Sequence, residues 1–125
     1  MTRELTDCEK SFIRDVAARL DPADGTRLLD DLANARAELT LDDGPLILFH
    51  IRGHERPKER GQHTYPYEGT LKDADGAVVD VLLFADPSDR LFQLEYLGWG
   101  DGPLQEPDWT ALTIVHISKR GRTEH

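Results

Sequence analysis

Three histidines, His50, His54 and His63, fall within 14 residues, and Glu55 adjoins the second. Imidazole and carboxylate are donors that a zinc ion takes, so this is the first place where the chain could do chemistry. The spacing is not that of two ligands on one helix, as in HExxH: His50 falls in a strand pattern and His54 in the polar run after it. Ordinary surface histidines account for the same residues. Cys8 lies in the first turn of a helix pattern, where the helix dipole can lower a thiol pKa. A nucleophile also needs a base and an orienting partner, and the sequence assigns none, so a partly buried, inert thiol is expected.

Carboxylates are abundant, but a hydrolytic pair needs a pocket and one raised pKa. Asp30-Asp31 reads as a solvated helix face and Asp42-Asp43 as a turn. The DADG run from Asp73 to Gly76 begins like a calcium loop but lacks the further oxygen ligands and the closing Glu. Neither GxGxxG nor a P-loop occurs. Arg52, Arg56, Lys58 and Arg60 form a basic island without interleaved aromatics, a weak RNA signal that a solvated loop explains.

The stretch Glu95 to Trp109, EYLGWGDGPLQEPDW, is different in kind. It holds Glu95, Asp101, Glu106 and Asp108, the aromatics Tyr96, Trp99 and Trp109, and no Lys or Arg. Rigid aromatic surface beside carboxylates suits a partner rich in Arg and Lys, because aromatics supply contact area and acids steer and pair cations. The same tryptophans could instead pin a Gly/Pro-rich loop to the core. Such irregular connections are where binding residues are often carried.

These residues need elements to position them. Thr6 and Glu9 have capping-box spacing, and Phe12, Ile13, Val16, Ala17 and Leu20 follow as one helical stripe. Asp21-Pro22 ends that helix. A second, shorter helix is expected after Asp24 or Gly25, burying Leu28, Leu29 and Leu32. From Ala35 the period falls to 2, giving strands over 35–41, 46–51, 63–71, 77–84, 91–97 and 111–117. Pro66 predicts an edge position or a bulge, and residues 52–63 read as a long exposed loop. Helices followed by strands with hairpin-length links predict an α+β fold. In it, a helical hairpin covers one face of an antiparallel sheet of five or six strands in meander order. One domain over residues 1–118 and a polar tail over 119–125 are expected.

The chain has 125 residues, 24 acids against 15 Lys and Arg, a net charge of −9 and one cysteine. Its sequence pI is about 4.9. A field of that sign repels nucleic-acid phosphates and anionic membranes and favours encounter with basic proteins. No apolar run approaches the roughly 20 residues of a membrane span, and the first residues have no signal-peptide h-region. The lone cysteine fits a reducing compartment.

LTDCEKSFI at a helix start, DGAVVDVLLFADPSDRLFQLEYLGW in a hairpin and then GDGPLQEPDW resemble small bacterial α+β proteins, some of them immunity partners of toxins. In size and acidity the chain is similar to immunity proteins of contact-dependent growth inhibition and related interbacterial toxin systems. That resemblance implies a cytoplasmic, non-enzymatic, cofactor-free protein that binds one cognate toxin domain in a 1:1 complex. The interface expected from the residues is Glu95, Trp99, Asp101, Glu106, Asp108 and Trp109, with neither nucleic acid nor membrane as partner. Two other readings stand beside it: a small metal- or ligand-binding enzyme using His50, His54 and His63, and a regulatory interaction module.

Overall fold

The computed structural model describes residues 2–39, 46–58, 61–98 and 107–117. Two helices precede most of the sheet, so the fold is α+β. The elements run β1 (Thr2–Arg3), α1 (Asp7–Arg19), α2 (Pro22–Ala33), β2 (Ala35–Leu39), β3 (Leu46–Ile51), β4 (His63–Thr64), β5 (Tyr67–Lys72), β6 (Val78–Ala85), β7 (Leu91–Gly98) and β8 (Asp108–His116).

Local chemistry sets the helices as the sequence predicts, with one change of boundary and one of facing: Leu29, expected inside with Leu28 and Leu32, is exposed, and Asp31 takes a buried position instead. The Thr6 hydroxyl accepts the Glu9 N–H at 3.1 Å and the Glu9 carboxylate accepts the Thr6 N–H at 2.9 Å, a capping box. Arg3 grips the buried Glu9 carboxylate through two bonds of 2.8 and 3.0 Å. The second helix begins at Pro22, earlier than expected. Asp21 caps it by accepting the Asp24 N–H at 3.0 Å, and proline is favoured at the first helical position. Cys8 is exposed, which corrects the expectation of a partly buried thiol.

All strand pairs are antiparallel. The described sheet has eight strands rather than five or six, in the order β1-β2-β3-β7-β6-β5-β8, with β4 on β6. Two-residue β1 adds an edge. The strand expected over 63–71 is divided at Pro66: His63 pairs with Ala85 and Gly69 with Val81, so an advance of six positions on one side matches four on the other. Consecutive strands are neighbours in β1-β2-β3 and in β5-β6-β7, but the meander does not run through the described sheet as a whole. The links of residues 52–62 and 99–107 exceed hairpin length, typically 2–5 residues. The strands on either side of these intervals are not neighbours: β7 rather than β4 lies beside β3, and β5 rather than β7 beside β8.

The helices cover one face. Phe12, Ile13, Val16, Leu28 and Leu32 pack with Ile47, Phe49, Leu71, Val79, Val81, Leu83 and Leu94. Each such side chain contributes roughly 1.5–3 kcal/mol when fully buried. Glu68 and Asp80, on the other face, are also fully buried, and the Thr70 hydroxyl donates to Asp80 at 3.0 Å. Among the described residues no helix is long and apolar enough to cross a membrane.

The helices touch backbone to backbone at Gly25. A Cβ there would lie 2.6 Å from the Ala17 carbonyl oxygen. Alanine exceeds glycine in helix propensity by about 1 kcal/mol, yet Gly25→Ala is expected to destabilise by about 1–3 kcal/mol, because this obstacle cannot rotate away. Urea unfolding decides the sign, and a raised midpoint would contradict the close approach.

Candidate functional site

Among the described residues, the acids and aromatics of this stretch divide between the two sheet faces. Glu95 is half-buried on β7, opposite Leu46 and Leu82, and points away from the helix-covered side that holds Leu94 and Tyr96. Trp109 turns to that covered side. Its ring centroid lies 6.1 Å from Phe12 and 6.1 Å from Tyr96, so it seals the core margin. Asp108 is exposed on β8 opposite Lys72. The Thr110 hydroxyl, then the Thr110 amide, hold its carboxyl below the usual range. By strand spacing and residue rise, Glu95 and Asp108 stand about 20 Å apart on the same face. Trp99, Asp101 and Glu106 lie outside the described residues.

The histidines are likewise dispersed. His50 pairs with Glu38, His63 with Asp89 at 2.9 Å, and His54 with Asp86 at 2.8 Å. Among the described residues, no three His, Cys, Asp or Glu side chains are grouped to hold a metal.

The densest polar chemistry lies where the β6–β7 turn meets α2 and the loop after β3. Asp86 opens that turn and is 1% exposed. One oxygen accepts the amides of Ser88 at 2.8 Å and Arg90 at 3.1 Å. The other accepts His54 Nε2 and Arg56 Nη1, both at 2.8 Å. Burial alone would raise this carboxyl, but the donors from His54, Arg56, Arg90 and Ser88 together hold it below its ordinary value. Asp31, also 1% exposed, accepts Arg90 Nε at 2.8 Å and the Leu91 amide at 3.0 Å. Arg90 Nη1 approaches His54 Nδ1 at 3.4 Å. Arginine only donates, so Nδ1 accepts and the Nε2 proton goes to Asp86. Both ring nitrogens of His54 are thus engaged.

Two expectations are corrected here. Asp31 is a buried anchor, not part of a solvated helix face, because its position in α2 faces the sheet. Residues 52–58 are not a free loop: Arg56 also donates to the Phe49 carbonyl and, at 2.8 Å, to the Leu91 carbonyl. Its guanidinium carbon sits 4.9 Å from the Phe92 ring centroid. The partners of this cluster lie 30 to 60 residues apart, so no local spacing reveals them. The one cue is an Asp-x-x-x-Arg turn followed by a strand.

Beside the cluster, α2 and β4 enclose a depression of about 170 Å³ with Tyr65 in its wall. Burial, followed by the carboxylates of Asp31, Asp86 and Asp89, pushes the Tyr65 phenol above its ordinary range, with Arg27 opposing. Asp89 sits at φ +64°, the one positive-φ residue other than glycine among those described, a conformation that aspartate tolerates.

No curated protein and no solved structure shows a significant match to this sequence. A family model described as Domain of unknown function (DUF6984) matches residues 2–107. That span contains both helices, strands β1 to β7, the whole Asp31–Arg90–His54–Asp86–Arg56 cluster and the adjoining depression. It stops before Asp108 and β8. With most of its length matched, the chain belongs to the DUF6984 family.

Proposed function

We propose that this chain is a non-enzymatic immunity-type protein that binds and neutralises a cognate, basic toxin domain of the nuclease kind through its acidic surface. The observation that carries this reading is where the charge resides. Arg3, Arg56 and Arg90 are engaged by the buried carboxylates of Glu9, Asp86 and Asp31. Each of these pairs is neutral in sum, so the net charge of −9 belongs to the remaining groups. Such a field raises the encounter rate with a cationic surface. Glu95 and Asp108 supply described acids on one sheet face, and Trp99, Asp101 and Glu106 belong to the same run. Trp109 supports that face from inside rather than as an anchor.

The test is co-expression with the products of the genes adjacent to this chain's own, followed by association kinetics across a salt series with any toxin domain among them. A 1:1 complex is expected. Its on-rate should fall about tenfold or more with rising salt, and again when Asp101, Glu106 and Asp108 are each changed to Lys. A complex indifferent to both changes sinks the electrostatic interface, and a neighbouring toxin that never binds sinks the immunity reading.

A further inference from the structure

We propose that the depression between α2 and β4 is a socket for one arginine side chain of a basic partner. Its capacity and its walls point the same way. About 170 Å³ is close to the roughly 150 Å³ cavity that takes up benzene, a bulk comparable to a planar guanidinium with part of its stem. Leu20, Pro66 and Ala85 give an apolar lining for methylene groups. Tyr65 brings an aromatic side chain to the lining, a group to which guanidinium is attracted, and Asp24 and Asp89 stand there as carboxylates.

The carboxylates have only loose internal partners. Asp24 meets Arg27 at 3.4 Å with both side chains about half exposed. Asp89 meets His63 at 2.9 Å with exposures of 62% and 49%. Exposed pairs of this kind contribute little, so an entering guanidinium can take their place, with Arg27 swinging into solvent. The buried carboxylates Asp86 and Asp31 lie outside the lining and are already held by Arg56 and Arg90, so they do not compete for the entering group. Burial first, and then Asp31, Asp86 and Asp89, raise the Tyr65 phenol, with Arg27 opposing. Arginine is among the residue types most enriched in interface hot spots.

This inference rests on the basic-partner reading for its biological occupant, but the socket can be tested without any partner. The probe is n-butylguanidinium, titrated into the full chain by NMR, with 1-pentanol as the uncharged control. Saturable shifts are expected at the amides of Thr64, Tyr65 and Asp89, with 1-pentanol much weaker. Asp24→Asn with Asp89→Asn should weaken the probe at least about tenfold. Asparagine also tolerates positive φ, so the second change removes charge while keeping the turn, and an unchanged thermal melt verifies this. No saturable shift, equal binding of 1-pentanol, or equal binding by the double variant would each overturn the socket. Butylguanidinium binding in a chain whose neighbouring toxin does not associate leaves the socket in place and refutes the toxin reading alone.

Discussion

Asp86→Ala is expected to lower the unfolding free energy by about 3–5 kcal/mol, the loss typical when one partner of a buried ionic group is removed. The side chain is only 2% exposed. Its removal strands Arg56, the Nε2 proton of His54 and the amides of Ser88 and Arg90 where water cannot easily replace the lost acceptor. Typical domains retain only about 5–15 kcal/mol, so this one change would consume much of the margin. Because Arg56 joins the loop after β3 to Phe49 and Leu91, hydrogen exchange in residues 52–58 should rise along with the global loss. A loss under about 1 kcal/mol would show the cluster to be a solvated network.

The same carboxylate gives a pH signature with a defined sign. Its folded pKa lies below the ordinary 3.8, so its contribution is complete above that value and is lost as pH falls through the folded pKa. The stability gap between the native chain and Asp86→Asn should therefore be constant from neutral pH down to about 5 and narrow below 3.8. Urea titrations at stepped pH measure it, and a gap that widens on acidification would reverse the assignment.

Phe12→Ala is the second large effect, about 3–5 kcal/mol from lost burial and the cavity left behind. Phe12 is fully buried, and it fits only because β5 has no side chain beneath it. A Cβ on Gly69 would lie 3.0 Å from Phe12 Cε1 and 2.7 Å from Leu112 Cδ1. Gly69→Ala alone should destabilise, and it should do so less in the Phe12→Ala background, where room has opened. A coupling of about 0.5–3 kcal/mol is expected from the cycle. Phe12 is also a ring neighbour of Trp109, so tryptophan emission should shift to the red when it is removed. Strict additivity would place Gly69 and Phe12 out of contact.

These residues show what could be read before the fold was known. The Thr6–Glu9 box, the Asp21-Pro22 break, the Pro66 interruption and the apolar stripe of α1 were legible, because each is written in spacings of a few residues. Gly25 and Gly69 were not. Their importance is a close approach between elements, and glycine in a helix or strand pattern reads only as a weak point. Histidine clustering in the sequence was misleading in the opposite sense: three neighbours in the chain face three different carboxylates in space.

The sequence by itself determined the class: an acidic α+β chain with two helices, the first with a capping box, strands of period 2, and a run of acids and aromatics from Glu95 to Trp109. Tertiary structure alone decided the neighbours that are distant in the chain, β3 beside β7 and β5 beside β8, and which charges went inside. Strand order depends on the long links after β3 and β7, whose ends no local pattern ties to a particular partner. The fate of Asp31, Asp86, Arg56 and Arg90 follows from a balance that exists only after folding. A charge costs several kcal/mol to bury alone and becomes tolerable when donors from distant segments converge on it. The same convergence placed Trp109 against Phe12 and put the acid-lined depression beside Tyr65, far along the chain from the acids that first drew attention.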